Sequence, residues 1–121
     1  MSLEDIPEVD INDQGINSGF YKFVLIKGSD YRDYLHARTI YTFHTGVFDD
    51  FKEKLTRQHI DVSLFRCTGD GLLSVDNEGK TLKAHGSSTN YGKFDTTITR
   101  ILLENYARIN SRFQGFAVQV E

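Results

Sequence analysis

The chain of 121 residues holds one cysteine, Cys67. That count excludes an intrachain disulfide, and with no second soft ligand it excludes cysteine-rich zinc and iron–sulfur sites. Such sparse use of cysteine fits a reducing compartment. Long apolar runs are also lacking, and none approaches the roughly 18 residues that cross a bilayer. The opening MSLEDIPEVDINDQG has neither the basic n-region nor the apolar h-region of a secretory signal. Positive charge is not in excess: 14 Lys and Arg stand against 17 Asp and Glu, a formal charge of -3. That balance speaks against coating nucleic acid or anionic lipid and leaves room for a local basic site. Repeats, heptads and low-complexity runs are absent. One domain is expected at this length, burying roughly two-thirds of the surface of its unfolded chain. The expectation is a soluble, cytoplasmic protein with no membrane or nucleic-acid partner.

Residues 1–15 are mostly polar, with isolated Ile6, Val9 and Ile11, and read as an N-terminal tail or short edge segment before a single domain over 16–121. FYKFVLIK at 20–27 is rich in aromatic and β-branched residues and predicts a central strand. SDYRDYLH at 29–36 reads as a loop, and TIYTFH at 39–44 alternates as a second extended segment. In VFDDFKEKLTRQH, Val47, Phe48, Phe51 and Leu55 share one face, so an amphipathic helix follows, with Thr45 as its expected N-cap. IDVSLFRC at 60–67 reads as a strand, TGDG at 68–71 as a turn, and 72–75 and 81–85 as a hairpin around Asp76-Asn77-Glu78-Gly79. A small polar loop, GSSTNYG at 86–92, feeds a second helix from 94 or 95 to 106 with Ile98, Ile101 and Leu102 on its apolar side, and FQGFAVQVE closes on a strand. The order β, β, α, β, β, β, α, β predicts an α/β domain with a mixed sheet and two helices, on one face or both.

His44 falls at the junction between the predicted strand and the helix, where a side chain can reach a ligand held by the helix's free N–H groups. Its imidazole can accept a proton from water or attack phosphorus; the alternative is a histidine on the rim of the sheet with no chemistry. The loop 86–92 can form a nest of N–H groups for an oxyanion, or can simply turn the chain. It is not a Walker A loop, because Gly92-Lys93-Phe94 lacks the terminal G-K-[ST]. Lys22, inside the apolar strand, faces either solvent or an anion. Arg38 precedes the second extended segment and is a candidate for the same region or a surface charge. His36, His59 and His85 have no compact metal-ligand spacing, and Ser63, Ser74 and Ser88 lack a nucleophile elbow. No metal or other cofactor is expected. The aromatic residues of the two early strands read as sheet packing, since the basic interleaving of an RNA platform is thin.

Taken together, IPEVDIN-x-x-G at 6–15, FYKFVLIK at 20–27, YTFHTGVFDDF at 41–51, FRCTGDGLLSV at 65–75 and HGSSTNYG at 85–92 resemble the Janus/Ocnus family. That family includes the small phosphohistidine phosphatase of animals and fly proteins linked to sexual differentiation. The resemblance implies a monomeric cytoplasmic domain with a mixed six-stranded β-sheet and two α-helices. It also implies hydrolysis of phosphohistidine in proteins or peptides without a metal. It places the essential histidine at His44, the strand lysine at Lys22, a phosphate-binding serine at Ser88, and phosphate-facing backbone N–H groups at Thr45 and Asn90. Departures from the phosphatase branch are Leu72, where that branch has an arginine after its glycine-rich turn, and Ser87, where it has an aromatic residue. Asp70 is a further acidic neighbour that would disfavour a phosphorylated substrate. Arg38 is a doubtful substitute for the missing arginine. The implied function is therefore a protein phosphohistidine phosphatase. The alternative is a non-catalytic phosphate-recognising regulator in sexual differentiation or germ-line development, and a weaker third is an interaction protein using a sheet edge.

Overall fold

The computed structural model describes residues 6–11, 19–39, 43–86 and 90–121. Strands β1 (Val9–Ile11), β2 (Gly19–Gly28) and β3 (Asp33–Arg38) precede helix α1 (His44–Arg57). Then come β4 (Phe65–Asp76), β5 (Thr81–His85), α2 (Thr96–Ile109) and β6 (Ala117–Val120). They form one six-stranded sheet ordered β1-β3-β2-β4-β5-β6. The central pairs are antiparallel, while β1 on β3 and β6 on β5 are parallel, so the sheet is mixed as expected.

The helices cover opposite faces. Period-two alternation sends Tyr21, Phe23 and Leu25 of β2, Leu35 and Ala37 of β3, and Leu82 and Ala84 of β5 to the side where Leu102, Leu103 and Ala107 of α2 pack. Val24, Ile26 and Tyr34 point the other way, onto Val47, Phe51 and Leu55 of α1. Alternate residues of both faces being apolar explains why FYKFVLIK reads as a nearly continuous hydrophobic run. Among the described residues, no helix is long and apolar enough to cross a membrane.

Several boundaries differ from the sequence expectation. The second extended segment lies at 33–38, not 39–44: Thr39 is a bend, 40–42 fall outside the described residues, and His44 opens α1. The polar DYLHAR is a strand because its His36 and Arg38 are buried against partners rather than in apolar surroundings. Thr45 is not the N-cap; Phe43 is, and it contributes no side-chain bond. Ile60–Cys67 is not one strand, since Val62–Leu64 form a 3-10 turn and β4 starts at Phe65. TGDG is not a turn but the middle of β4, which runs on through 72–75. In the following hairpin the left-handed residue is Lys80, with φ 52°, rather than Asn77 or Gly79. Helix α2 begins after Asp95, whose carboxylate accepts the Ile98 N–H at 3.0 Å, and it buries Leu102 and Leu103 while Ile101 stays 54% exposed.

The glycines of β4 explain its uninterrupted course. A Cβ on Gly69 would lie 2.6 Å from the Phe94 Cα, and one on Gly71 would lie 2.7 Å from the Phe94 ring. Both positions face the α2 side and must be bare for the segment before α2 to press against the strand.

Candidate functional site

On the α1 side of the sheet the register lines up side chains in rows. Lys22 pairs with Arg38 on one side and Leu72 on the other, and Leu72 pairs with His85. The next row towards the α1 core is Asp10, His36, Val24 and Asp70. The row on the far side runs Phe20, Ser74 and Lys83.

His44 is the first residue of α1 and only 7% exposed. Its Nε2 lies 2.9 Å from the Gly71 carbonyl oxygen. A carbonyl can only accept, so Nε2 carries a proton, and the neutral tautomer this bond selects has its lone pair on Nδ1. Among the described residues nothing engages Nδ1. The buried helix start thus presents a histidine whose tautomer is set by the strand beneath it. The adjoining Thr45 N–H lies in the first helical turn, where no intrahelical acceptor exists.

The same stretch of β4 anchors the loop that carries Asn90. Asp70 is fully buried, its carboxylate accepts the Tyr91 N–H at 3.2 Å, and its own N–H donates to the Gly92 carbonyl at 2.9 Å. Gly86 and Gly92 take left-handed φ values of 73° and 83°, the freedom expected of this loop. The Tyr91 ring then meets Phe48 of α1 edge-on at 5.9 Å. Two consecutive residues, Asp70 and Gly71, therefore hold the loop and the histidine in fixed relation. Asp70 serves the loop backbone, which is a structural task for the acidic neighbour flagged in the sequence. Asn90 is exposed at this loop, and Ser88 lies outside the described residues.

Lys22 is half-buried, faces the α1 side, and makes no ion pair among the described residues. Its backbone register places it one residue from the Phe23–Gly71 pair beneath His44. Arg38 is different. It donates to Asp50 Oδ2 from Nε at 3.0 Å and to Asp10 Oδ2 from Nη2 at 3.0 Å, and it is buried. Lys54 adds a third contact to Asp10 at 3.0 Å. Arg38 thus ties β1, β3 and α1 together, and its charge is committed to carboxylates.

His36 sits in that network, with Nε2 2.7 Å from Asp50 Oδ2. Burial and the Arg38 charge push its pKa down to about 4, against the pull of Asp50 and Asp10. The two carboxylates are already balanced by Arg38 and Lys54, so a proton on His36 would add an unmatched buried charge. Burial raises the Asp10 pKa, but its hydrogen bond to Arg38, the Arg38 charge and Lys54 together outweigh that and bring it down to about 2. Burial pushes the Cys67 thiol up to about 12, away from the thiolate, and Sγ donates to the Gly69 carbonyl. A groove between Pro7–Val9 and α2, with Leu102, Tyr106 and Ile109 in its wall, is separate from this cluster.

Strand register puts Lys22 one position from the Phe23–Gly71 pair, β4 anchors both the His44 ring and the loop of Asn90, and Arg38 is committed to Asp10 and Asp50. Sequence reading missed the roles of Asp70 and Gly71. Glycine at alternate positions of an apolar segment was the available signal, since it marks a strand approached closely by another backbone.

Fold and site define a single-domain α/β protein with a histidine at a helix start and, on a neighbouring strand, a lysine that makes no ion pair among the described residues. The Janus/Ocnus family (Ocnus) matches residues 3–110, and the chain belongs to it. It is 29% identical over 114 residues to the sex-regulated protein janus-A of Drosophila pseudoobscura pseudoobscura, covering 86% of this chain and 72% of that one. It is 26% identical over 105 residues to the sex-regulated protein janus-B of Drosophila erecta, covering 85% of this chain and 63% of that one.

Proposed function

We propose that the chain is a protein phosphohistidine phosphatase, hydrolysing the P–N bond of phosphohistidine in a protein or peptide. The observation that carries the reading is the bond from His44 Nε2 to the Gly71 carbonyl, because it orients the ring with Nδ1 as the base, unengaged among the described residues. Lys22, the Thr45 N–H and the loop at Ser88 and Asn90 would receive the phosphoryl oxygens, so that positioning and charge stabilisation do most of the work. His44 Nδ1 then takes a proton from water as its oxygen attacks phosphorus, or attacks phosphorus itself and is hydrolysed in a second step. Either way the Gly71 carbonyl steadies the imidazolium that forms. The reading needs no metal, keeps the protein monomeric, and places the reaction in the cytoplasm.

A second reading, phosphate recognition without turnover, rests on Leu72. It stands beside Lys22 in register, where the phosphatase branch is expected to carry an arginine. One comparison separates the two: phosphate release from a phosphohistidine peptide and from a phosphoserine peptide in metal-free buffer. Release from the first alone supports the phosphatase. Binding of the phosphohistidine peptide without release supports recognition, and equal neglect of both peptides overturns both readings.

A further inference from the structure

His85 has an environment unlike that of the other two buried or half-buried histidines. His44 is bonded to a carbonyl, which fixes one tautomer, and His36 to a carboxylate deep in an ion-pair network. The Nε2 of His85 lies 2.8 Å from the Ser74 hydroxyl. A hydroxyl can accept or donate, so this partner satisfies the ring both protonated and neutral. With Nε2 on Ser74, Nδ1 is the ring atom left to exchange a proton with a ligand, and among the described residues no side chain bonds to it. The Phe20 ring, 69% exposed, meets His85 edge-on at 6.4 Å and supports it from β2.

Register places His85 on the same face as Lys22, with Leu72 between them. Adjacent strands are about 4.8 Å apart, so Lys22 and His85 stand roughly 10 Å from each other across an apolar step. A phosphorylated imidazole has matching parts: a dianionic phosphoryl group, a flat ring, and a second ring nitrogen at the far side. Charged groups around His85 are Lys22 on β2, Lys83 on β5, and Glu121, which pairs with Lys83 at 2.9 Å. Lys93 is held by the Gly86 carbonyl at 3.1 Å. No carboxylate bonds to the His85 ring among the described residues.

We propose that the row Lys22, Leu72 and His85 reads the phosphohistidine side chain from end to end, and that His85 is the acid for its departure. The proposal rests on the phosphatase reading. The phosphoryl group lies at Lys22, the ring rests on Leu72, and Nδ1–H of protonated His85 meets the ring nitrogen that does not carry phosphorus. As water oxygen bonds to phosphorus and gives its proton to His44 Nδ1, the P–N bond breaks and its electron pair goes to the ring. His85 passes its proton to the other ring nitrogen, so a neutral imidazole leaves. His85 regains a proton from solvent, and His44 loses one. Leu72 in this account is the floor for the ring, which an arginine would not provide.

The test uses His85→Gln and His85→Phe, two replacements of different shape, with folding followed by circular dichroism. Hydrolysis of a phosphohistidine peptide and of p-nitrophenyl phosphate, whose leaving group has no ring nitrogen to protonate, is measured from pH 5 to 9. Both variants should lose about 100-fold in kcat on the peptide near pH 7, with little change on p-nitrophenyl phosphate, and the deficit should shrink at alkaline pH, where an imidazole acid has no proton to give. The deficit should narrow towards pH 5, where the substrate ring carries its own proton. Equal losses on both substrates, a deficit independent of pH, or no loss would overturn the role of His85. A folded wild type that releases no phosphate from the peptide would overturn the phosphatase reading and this proposal with it.

Discussion

Acid should unfold this domain in a window set by His36. In the folded chain burial and Arg38 hold its pKa at about 4, whereas the unfolded chain titrates near the ordinary 6.5. As pH falls through 6.5 the unfolded chain takes up a proton that the folded chain refuses, so stability declines with falling pH until the folded ring also protonates near 4. The difference between those values amounts to about 3 kcal/mol, since each unit is worth about 1.4 kcal/mol. For a domain whose whole stability is on the order of 5 to 15 kcal/mol, that is a large share. Asp10 acts in a separate window: its folded pKa of about 2 against 3.8 unfolded contributes stability that is lost only below about pH 4. The assay is urea unfolding followed by tyrosine fluorescence between pH 7.5 and 4.5, for wild type and for His36→Gln. The wild-type midpoint should fall steeply over this range and the variant's should stay much flatter. Equal slopes for the two proteins would refute the assignment of His36 as a buried neutral histidine.

Other substitutions give sharper local readouts. Lys22→Ala should weaken inhibition by inorganic phosphate by about 1 to 3 kcal/mol, the worth of a charged hydrogen bond, with an unchanged melting temperature; unaltered inhibition would remove Lys22 from the site. Arg38→Met leaves the Asp10 and Asp50 carboxylates without the guanidinium and should cost about 3 to 5 kcal/mol in urea unfolding. A stable Arg38→Met protein with lost phosphate affinity would instead make Arg38 an anion ligand. Gly69→Ala drives a Cβ to 2.6 Å from the Phe94 backbone, and this overpacking should cost about 1 to 3 kcal/mol; a thermal melt that matches wild type would contradict that close approach.

What could be read from the sequence divides along physical lines. Strand β2 was legible from its run of aromatic and β-branched residues and helix α1 from the helical spacing of its apolar ones, and the six-strand count came from the family resemblance. The individual strands were less legible. Strand β1 is three residues long and its Val9 and Ile11 are too few to set a period. Strand β3 hides its burial behind His36 and Arg38, whose partners Asp10 and Asp50 lie 26 or 28 and 12 or 14 residues away. Strand β4 was divided because Gly69 and Gly71 resemble turn residues until Phe94 is seen against them. For the site, His44 and Lys22 were visible as residue types in telling places. The Nε2 bond to Gly71 and the row from Lys22 to His85 were not, because cross-strand register is fixed by tertiary packing. Hence His85, unremarkable beside its glycine loop in the sequence, gains a role only when Ser74 and Leu72 are set beside it.

The most direct measurement is free-phosphate release from a phosphohistidine peptide by wild type and by His44→Ala, both folded, in metal-free buffer. The account predicts turnover by wild type and none above the uncatalysed rate by the variant, with its circular dichroism unchanged. Equal rates for the two proteins, or no turnover by wild type, would contradict the central role given to the Nδ1 of His44.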